Sequence, residues 1–371
     1  TITAGAITIP NTDGSANQVL KTDGSGTLSW TANSGGGASN ITGLSDALTE
    51  DNSVYLGSNP SSTTNTAEGN TAVGTSALDV VTTGDGNVAV GHNVLHGLTT
   101  GTRNIAIGLG ALDVPDTEND NIAIGYEALG GSINGGEFNL AIGNYVLDAN
   151  TAGDYNVALG NQAMSANTSG SSNLAIGHVA LGSNTSGAYN VGVGQSTLNG
   201  NTTGARNIAL GYGALDAPDT ESDNLAIGYD ALGGSIAGGD KNVAIGNYSM
   251  DALTSGDNNT GVGYDALGAI TTGLSNTSMG YYALNSNTGG SYNSAFGAHS
   301  LDGNTTGTSN AGFGLSALRS NTTGASNTAI GTSALYNNTT ADDNVAVGSG
   351  ALYANTTAAG NTAVGNQTLY A

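Results

Sequence analysis

The sequence predicts an all-β protein built as a parallel β-solenoid, or β-roll. The first observation is a five-residue pattern, for example Asn104 to Gly108, that occurs eighteen times between Asn70 and Asn361. Successive copies start 17 residues apart, except for two steps of 18. The second is the abundance of Gly, Asn and Thr without a helical 3.6-residue period, which excludes helices. A fixed short period is typical of stacked repeats, so about eighteen 17-residue coils are expected in one rod.

Composition excludes several classes of function. The net charge is -23 and only five of the 371 residues are Lys or Arg, so no basic stripe can neutralise phosphates and no nucleic-acid partner is expected. There is no Cys, which excludes disulfides, thiolate metal sites and Cys nucleophiles. No apolar run approaches the length needed to span a membrane. We therefore expect no membrane insertion.

The chain before the repeats is expected to hold a small β module. Residues 1–30 contain two turn signals, Asn11–Gly14 and Thr22–Gly26, and are predicted to form a β-hairpin module anchored by Trp30. Residues 31–50 are predicted to be a linker and cap, with a short helical turn around Leu44 and Leu48.

The solenoid itself is expected to begin with a degenerate coil. Residues 51–69 contain Ser53, which lies 17 residues before Asn70 and is therefore in register with the repeat. Terminal repeats are often atypical because one face meets something other than a repeat. Residues 70–371 are predicted to be the regular solenoid, and a last repeat of ten residues before Ala371 suggests a fragment of a longer polypeptide.

Each repeat position, numbered from the Asn as zero, has an expected role. Two short strands per coil are predicted, one over positions zero to four and one over the segment that ends in Ala-Leu at positions seven and eight. Positions three and eight are expected to form the core, position four Gly a corner, and position zero Asn a ladder of stacked amides. Position two is always small, which suggests a close approach of another group, such as a second chain. The predicted structural ladder includes Asn104, Ile107, Gly108, Leu112, Asn139, Ile142, Gly143, Leu147, Asn207, Leu210, Gly211 and Leu215.

Acidic corners are the sharpest polar clusters. They recur in two blocks offset by 103 residues, each followed by one of the 18-residue steps. Carboxylates at such spacing could bind Ca²⁺, but the order matches neither an EF-hand nor the calcium β-roll repeat, and a solvated acidic corner is the simpler interpretation. The candidate ligands are Asp113, Asp116, Glu118, Asp120, Asp216, Asp219, Glu221 and Asp223.

Tyrosines recur at position five and form a possible surface contact. Exposed Tyr ladders can stack on sugars or proteins, or can fill a subunit contact. Catalysis is not expected, because the acids lie in corners, no titratable residue is unique, and the four His residues are scattered. No cofactor is expected apart from the possible Ca²⁺. The position-five residues are Tyr126, Tyr212, Tyr229, Tyr264 and Tyr281.

Two stretches of the chain resemble known families. The repeat Asn242-Val-Ala-Ile-Gly246 resembles the Ser-Val-Ala-Ile-Gly head repeats of trimeric autotransporter adhesins. The segment from Pro10 to Trp30 resembles a segment of tail-fibre and structural proteins of marine and cyanobacterial phages, in which Asn-Thr-Ala-x-Gly repeats often follow. The adhesin resemblance implies a β-roll that forms homotrimers. Residues 1–371 depart from the adhesin pattern, because no stretch among them is recognised as a coiled-coil stalk or a membrane anchor.

These resemblances favour a phage tail fibre. The expected function is a structural and adhesive virion shaft that contacts other tail proteins and a host receptor, either a glycan or an outer-surface protein. A bacterial cell-surface adhesin or extracellular filament subunit is the alternative. An ice-binding solenoid is a third hypothesis, but position one holds Thr in only five copies, and the other threonines concentrate in corners.

Overall fold

The computed structural model describes residues 2–4, 7–10, 18–32, 47–50, 52–57, 60 and 66–370. These residues form strands and turns and no helix. The predicted fold class is confirmed, because the repeats form a parallel β-solenoid of 17-residue turns beside a small antiparallel N-terminal sheet.

The N-terminal strands pair as hairpins. Strands β1 (Ile2–Ala4) and β2 (Ile7–Ile9) are antiparallel, as are β3 (Gln18–Thr22) and β4 (Leu28–Ala32). The Thr22–Gly26 turn signal lies between β3 and β4, where Asp23 Oδ1 accepts from the backbone N–H groups of Ser25 and Thr27. The other turn signal, Asn11–Gly14, lies outside the described residues.

A strand closes the start of the solenoid sheet. Strand β5 (Ala47–Glu50) pairs antiparallel with β6 (Ser53–Leu56), and β6 begins the parallel ladder by pairing with β7. The helical turn expected around Leu48 is therefore wrong. An extended segment can hydrogen-bond to the otherwise unpaired edge of β6, whereas a helical turn cannot. Leu44 lies outside the described residues.

Each later coil contributes one three-residue strand to the parallel sheet, and equivalent residues pair from coil to coil, as Ile105 pairs with Ile122 and Ile122 with Leu140. The strands are β7 (Thr71–Val73), β8 (Val88–Val90), β9 (Ile105–Ile107), β10 (Ile122–Ile124), β11 (Leu140–Ile142), β12 (Val157–Leu159), β13 (Leu174–Ile176), β14 (Val191–Val193), β15 (Ile208–Leu210), β16 (Leu225–Ile227), β17 (Val243–Ile245), β18 (Thr260–Val262), β19 (Thr277–Met279), β20 (Ser294–Phe296), β21 (Ala311–Phe313), β22 (Thr328–Ile330), β23 (Val345–Val347) and β24 (Thr362–Val364).

The second strand expected in each coil is absent from coils 70 to 361. Positions five to ten form turns, and the residues at positions six and eight have left-handed backbones, for example Glu127 and Leu129 with φ of 52° and 49°. A strand requires φ near -120°, so an extended conformation is impossible there. The cost of left-handed Leu is offset by burial, because Leu129 is fully buried.

The core assignment from the sequence is right at position eight and wrong at position three. Leu112, Leu147 and Leu215 are fully buried, but Ile107 is 38% exposed, Leu210 is 37% exposed and Ile142 is only half-buried. Successive side chains of a strand point to opposite faces. In the three-residue strand, position two therefore points inward and positions one and three point outward. The narrow interior explains why position two is always small.

Two recurring residues shape each coil, a buried asparagine at position zero and a glycine at position four. The Asn at position zero is buried, and its amide links neighbouring coils: Asn104 Nδ2 donates to Asn87 Oδ1 at 3.2 Å and to the carbonyl of Glu118 at 2.8 Å. The Gly at position four turns the corner with φ near 130°, and a Cβ on Gly108 would lie 2.3 Å from the carbonyl oxygen of Gly125. Gly143 and Gly211 occupy the same corner.

Candidate functional site

The largest candidate surface is the outward side of the parallel sheet, formed by positions one and three of every coil from Asn70 to Asn361. We call it the outer sheet face. It contains no charged residue, although the chain carries 28 acidic residues. Most of its members are half-buried, and the exposed ones include Leu210 at 37%, Ile330 at 44% and, in the last coil, Val364 at 67%. Aromatic rings also lie on it, since Phe296 and Phe313 stack at 4.9 Å.

The size of this face is unusual for an isolated chain. Eighteen coils at a strand spacing of about 4.8 Å extend about 80 Å. With a width of about 10 Å, the face covers on the order of 800 Å², which exceeds the ~300–600 Å² of the largest apolar patch on a typical monomer. The same area is close to what one partner contributes to a standard protein interface, about 800 Å².

A second candidate surface is a line of aromatic side chains on the corner after position four, which we call the tyrosine ridge. Consecutive rings from Tyr212 to His299 lie 4.4–5.9 Å apart, measured between centroids. Tyr229 is 43% exposed and Tyr281 is 51% exposed. The members of the ridge are Tyr212, Tyr229, Tyr248, Tyr264, Tyr281, Tyr282 and His299.

The ridge brings together four of the five predicted position-five tyrosines. Tyr212 stacks on Tyr229 at 5.2 Å, and Tyr264 stacks on Tyr281 at 5.6 Å. The fifth, Tyr126, lies in an earlier coil and meets only Tyr145, edge to face at 5.1 Å. Stacked rings cover part of one another's faces, so edges and hydroxyl groups remain for a ligand.

Carboxylates lie beside the ridge at positions six and nine. Burial, together with repulsion from Asp265 and, less strongly, Asp230, raises the pKa of Asp251 to about 6. Burial likewise raises the pKa of Asp216, with a smaller contribution from Asp230. One carboxyl group per coil thus follows the tyrosine ridge from Asp216 to Asp265, and burial raises the pKa of each of them.

The eight proposed calcium ligands do not converge. Glu118 is 3% exposed, and its carboxylate accepts from the backbone N–H groups of Asp116 at 2.7 Å, Thr117 at 3.0 Å and Gly135 at 2.9 Å. It therefore fixes the longer corner of the following coil. Asp120 and Arg103 form a bidentate ion pair, in which Nε donates to Oδ1 and Nη2 donates to Oδ2, each at 2.6 Å.

The remaining members of that set also have separate surroundings. Asp116 accepts from the Thr99 hydroxyl, while Asp113 lies 3.7 Å from His96. The second block repeats the arrangement. Asp219 accepts a hydrogen bond from the Thr202 hydroxyl, Glu221 accepts from backbone amides, and Asp223 pairs with Arg206. Asp216 lies beside the tyrosine ridge. In the described part of the chain, no three His, Cys, Asp or Glu side chains are placed to hold a metal ion.

Two features of these surfaces were not foreseen from the sequence. The outer sheet face was missed because position three was placed in the core. Alternation within this five-residue segment, with a small residue always central, was the signal that could have found it. The contribution of Tyr248 and Tyr282 to the ridge was missed because they occupy position six, beside the position-five column.

Comparisons with protein-family models, with curated proteins and with solved structures found no match. The described residues contain no helix long and apolar enough to cross a membrane.

Proposed function

We propose that this chain is the shaft of a homotrimeric, non-enzymatic fibre, in which the outer sheet face of each copy packs against the other copies. The observation that carries the proposal is the uncharged apolar face of about 80 Å on a chain of net charge -23. Water-exposed apolar area of this size is unfavourable by about 25 cal/mol per Å², and association removes it. A second copy offers the same uncharged face, whereas the 28 acidic residues of the chain all lie outside it.

The residues on the face support contact between parallel, in-register copies. Where position three carries its largest side chains, Phe296 and Phe313, position one of the same coil carries its smallest, Ser294 and Ala311. These two positions point outward from one strand, about 7 Å apart. If equivalent coils of neighbouring copies meet, the large side chain at position three of one copy can lie against the small side chain at position one of another.

The biological setting follows from the resemblances and remains part of the proposal. A stiff, acidic rod suits a phage tail fibre, where it would join other tail proteins and carry a receptor-binding part toward a glycan or protein on the host. A bacterial surface adhesin or extracellular filament is the alternative. Immunogold labelling with an antibody against the chain separates the two, since a tail fibre places the label on virions and an adhesin places it on cells.

The ice-binding alternative finds less support. An ice-binding face needs a regular array of free hydroxyl groups, but the outer sheet face carries Met279 and Phe296. Corner threonines such as Thr168 and Thr185 donate their hydroxyl hydrogens to carbonyl groups of the next coil.

Light scattering tests the assembly. The unaltered chain is expected to have the mass of about three copies. Ile142→Asp places a charge on the outer sheet face and is expected to give monomers with an unchanged β circular dichroism spectrum, because Ile142 does not contribute to the core. Thr151→Asp, on an exposed corner, serves as the matched control and should remain trimeric. A monomeric unaltered chain would refute the proposal.

A further inference from the structure

The tyrosine ridge holds more carboxylates than the nearby basic residues neutralise. At its far end, Asp302 contacts His299 at 2.9 Å and Arg319 at 3.6 Å. No ion pair of the described residues involves the carboxylates in the preceding coils. These carboxylates are Asp216, Asp230, Asp251 and Asp265.

Arg319 shows how this side of the rod holds a guanidinium group. Its Nε lies 3.6 Å from Asp302 Oδ2, its Cζ lies 6.0 Å from the centre of the Tyr336 ring, and its Nη1 lies 3.3 Å from the Tyr336 hydroxyl. The group thus contacts a carboxylate in one neighbouring coil and an aromatic ring in the other. Asp251 occupies the same repeat position as Asp302, and Tyr264 lies one coil further along.

We propose that the tyrosine ridge from Tyr212 to Tyr282 binds an extended, arginine-rich segment of a partner protein. Each arginine would lie over a tyrosine ring and contact a carboxylate of a neighbouring coil, as Arg319 does within the chain with the position-nine ring of Tyr336. The chain has five basic residues against 28 acidic ones, so the complementary charge must come from another molecule.

The geometry favours an extended peptide over other ligands. The ridge is straight and repeats about every 4.8 Å, so it presents its groups along a line that an extended strand can follow. A single metal ion is not favoured, because the described carboxylates include no group of three placed to hold one. A neutral sugar offers no charge to complement the ridge carboxylates, whereas a guanidinium group does.

Arginine is favoured over lysine for a physical reason. A guanidinium group is planar, stacks on aromatic rings and can donate two parallel hydrogen bonds to a carboxylate, whereas an ammonium group is a compact, strongly hydrated charge. Binding through this ridge must therefore distinguish arginine from lysine at equal peptide charge. Non-specific attraction to an acidic rod would not distinguish them.

Isothermal titration of the full chain tests the proposal with two synthetic peptides, one alternating Arg and Ser and the other Lys and Ser. At physiological salt, the arginine peptide is expected to bind about tenfold more tightly than the lysine peptide. The double change Asp251→Asn and Asp265→Asn removes two ridge carboxylates and is expected to weaken arginine-peptide binding at least tenfold. Asp342→Asn with Asp343→Asn removes the same charge from an exposed site elsewhere and should change affinity less than twofold.

A second pair of variants tests the rings independently of charge. Tyr248→Leu with Tyr264→Leu keeps every carboxylate, and is expected to remove the preference for arginine over lysine. Circular dichroism confirms that each variant is folded. Equal binding of the two peptides to the unaltered chain, or equal losses in the ridge and control carboxylate variants, would overturn the proposal. The result does not depend on trimer formation, because the ridge lies beyond the position-four corner and outside the outer sheet face.

Discussion

Ile142 and Leu147 lie five residues apart in the same coil, but Ile142 points outward from the solenoid and Leu147 points into its core. Leu147 is fully buried, and Ile142 is half-buried on the outer sheet face. Both are aliphatic, and both belong to columns that are apolar in every repeat. The stability of a single chain therefore depends on Leu147, and under the proposed assembly Ile142 contributes to the contact between copies.

Truncation of these two residues should separate folding from assembly. Leu147→Ala leaves a cavity in the core and is expected to destabilise its coil and the neighbouring coils by about 2–5 kcal/mol. Ile142→Ala should cost a dilute, monomeric chain less than about 1 kcal/mol, because the half-buried side chain leaves no enclosed cavity. Hydrogen exchange of the amides in strands β10 to β13 measures the loss of local stability in each variant, since stability in a repeat protein is a sum over neighbouring coils. Equal protection losses would contradict the corrected core.

The Asn ladder should be sensitive to removal of a single amide. Asn173 donates to Asn156 Oδ1 and to the carbonyl of Gly187, and it accepts from the backbone N–H of Asn190. Asn173→Ala removes the acceptor of the buried Asn190 N–H, at a cost of about 1–3 kcal/mol. The Gly187 carbonyl keeps the Asn184 side chain as donor, and Asn156 Oδ1 keeps the backbone N–H of residue 173. Exchange of the Asn190 amide should accelerate, whereas Asn161→Ala at an exposed site should have little effect. Unchanged exchange at Asn190 would show that the ladder contributes nothing.

Asparagines at position eleven form a second ladder, in which Asn201 Nδ2 donates to Asn184 Oδ1, and this ladder ends at Pro218. Restoring the ladder at that position should stabilise the chain. Asn201 is fully buried, and its Oδ1 has no hydrogen-bond partner in the described structure, because the equivalent residue of the next coil is Pro218. Pro218→Asn supplies the missing donor, and the gain of about 1–3 kcal/mol should exceed the ~0.4–1 kcal/mol lost by making the unfolded chain more flexible.

Pro115→Asn is the matched control for that change. The equivalent residue of the preceding coil is Leu98, so no ladder exists for the new amide to continue. We expect Pro218→Asn to raise the thermal midpoint in differential scanning calorimetry and Pro115→Asn to lower it. A lower midpoint for both variants would mean that the proline corner is itself favourable.

The stability of coil 242–258 should decrease as the pH rises through about 6. The pKa of Asp251 is raised from 3.8 to about 6 by burial and by the neighbouring carboxylates, so the folded coil favours the protonated form. Its contribution to stability is fully present below pH 3.8 and is lost as the pH rises through about 6. Asp251→Asn should remove this pH dependence from local hydrogen exchange. A carboxyl ¹³C titration of Asp251 with a midpoint below 4 would disprove the assignment.

The fold was predictable because the repeat period determines the stacking, whereas the interior could not be assigned from hydrophobicity alone. An apolar column such as that of Ile107 has the same sequence pattern whether it faces the core or another copy. The left-handed backbone of Leu112, with φ of 48°, also has no local signal, because Leu rarely adopts it. The role of Glu118 had no sequence signal either, because its buried carboxylate accepts hydrogen bonds from backbone amides, which sequence spacing does not reveal.

The accessibility of the outer sheet face tests the central proposal most directly. The chain has no Cys, so a single thiol can be placed at Ile176→Cys on that face or at Ser186→Cys on an exposed corner. The proposal predicts that the thiol at position 176 reacts more slowly with a soluble disulfide reagent as protein concentration increases, while the thiol at position 186 reacts at a constant rate. If both rates are independent of concentration and light scattering shows monomers throughout, the face is open to water and the proposed assembly is wrong.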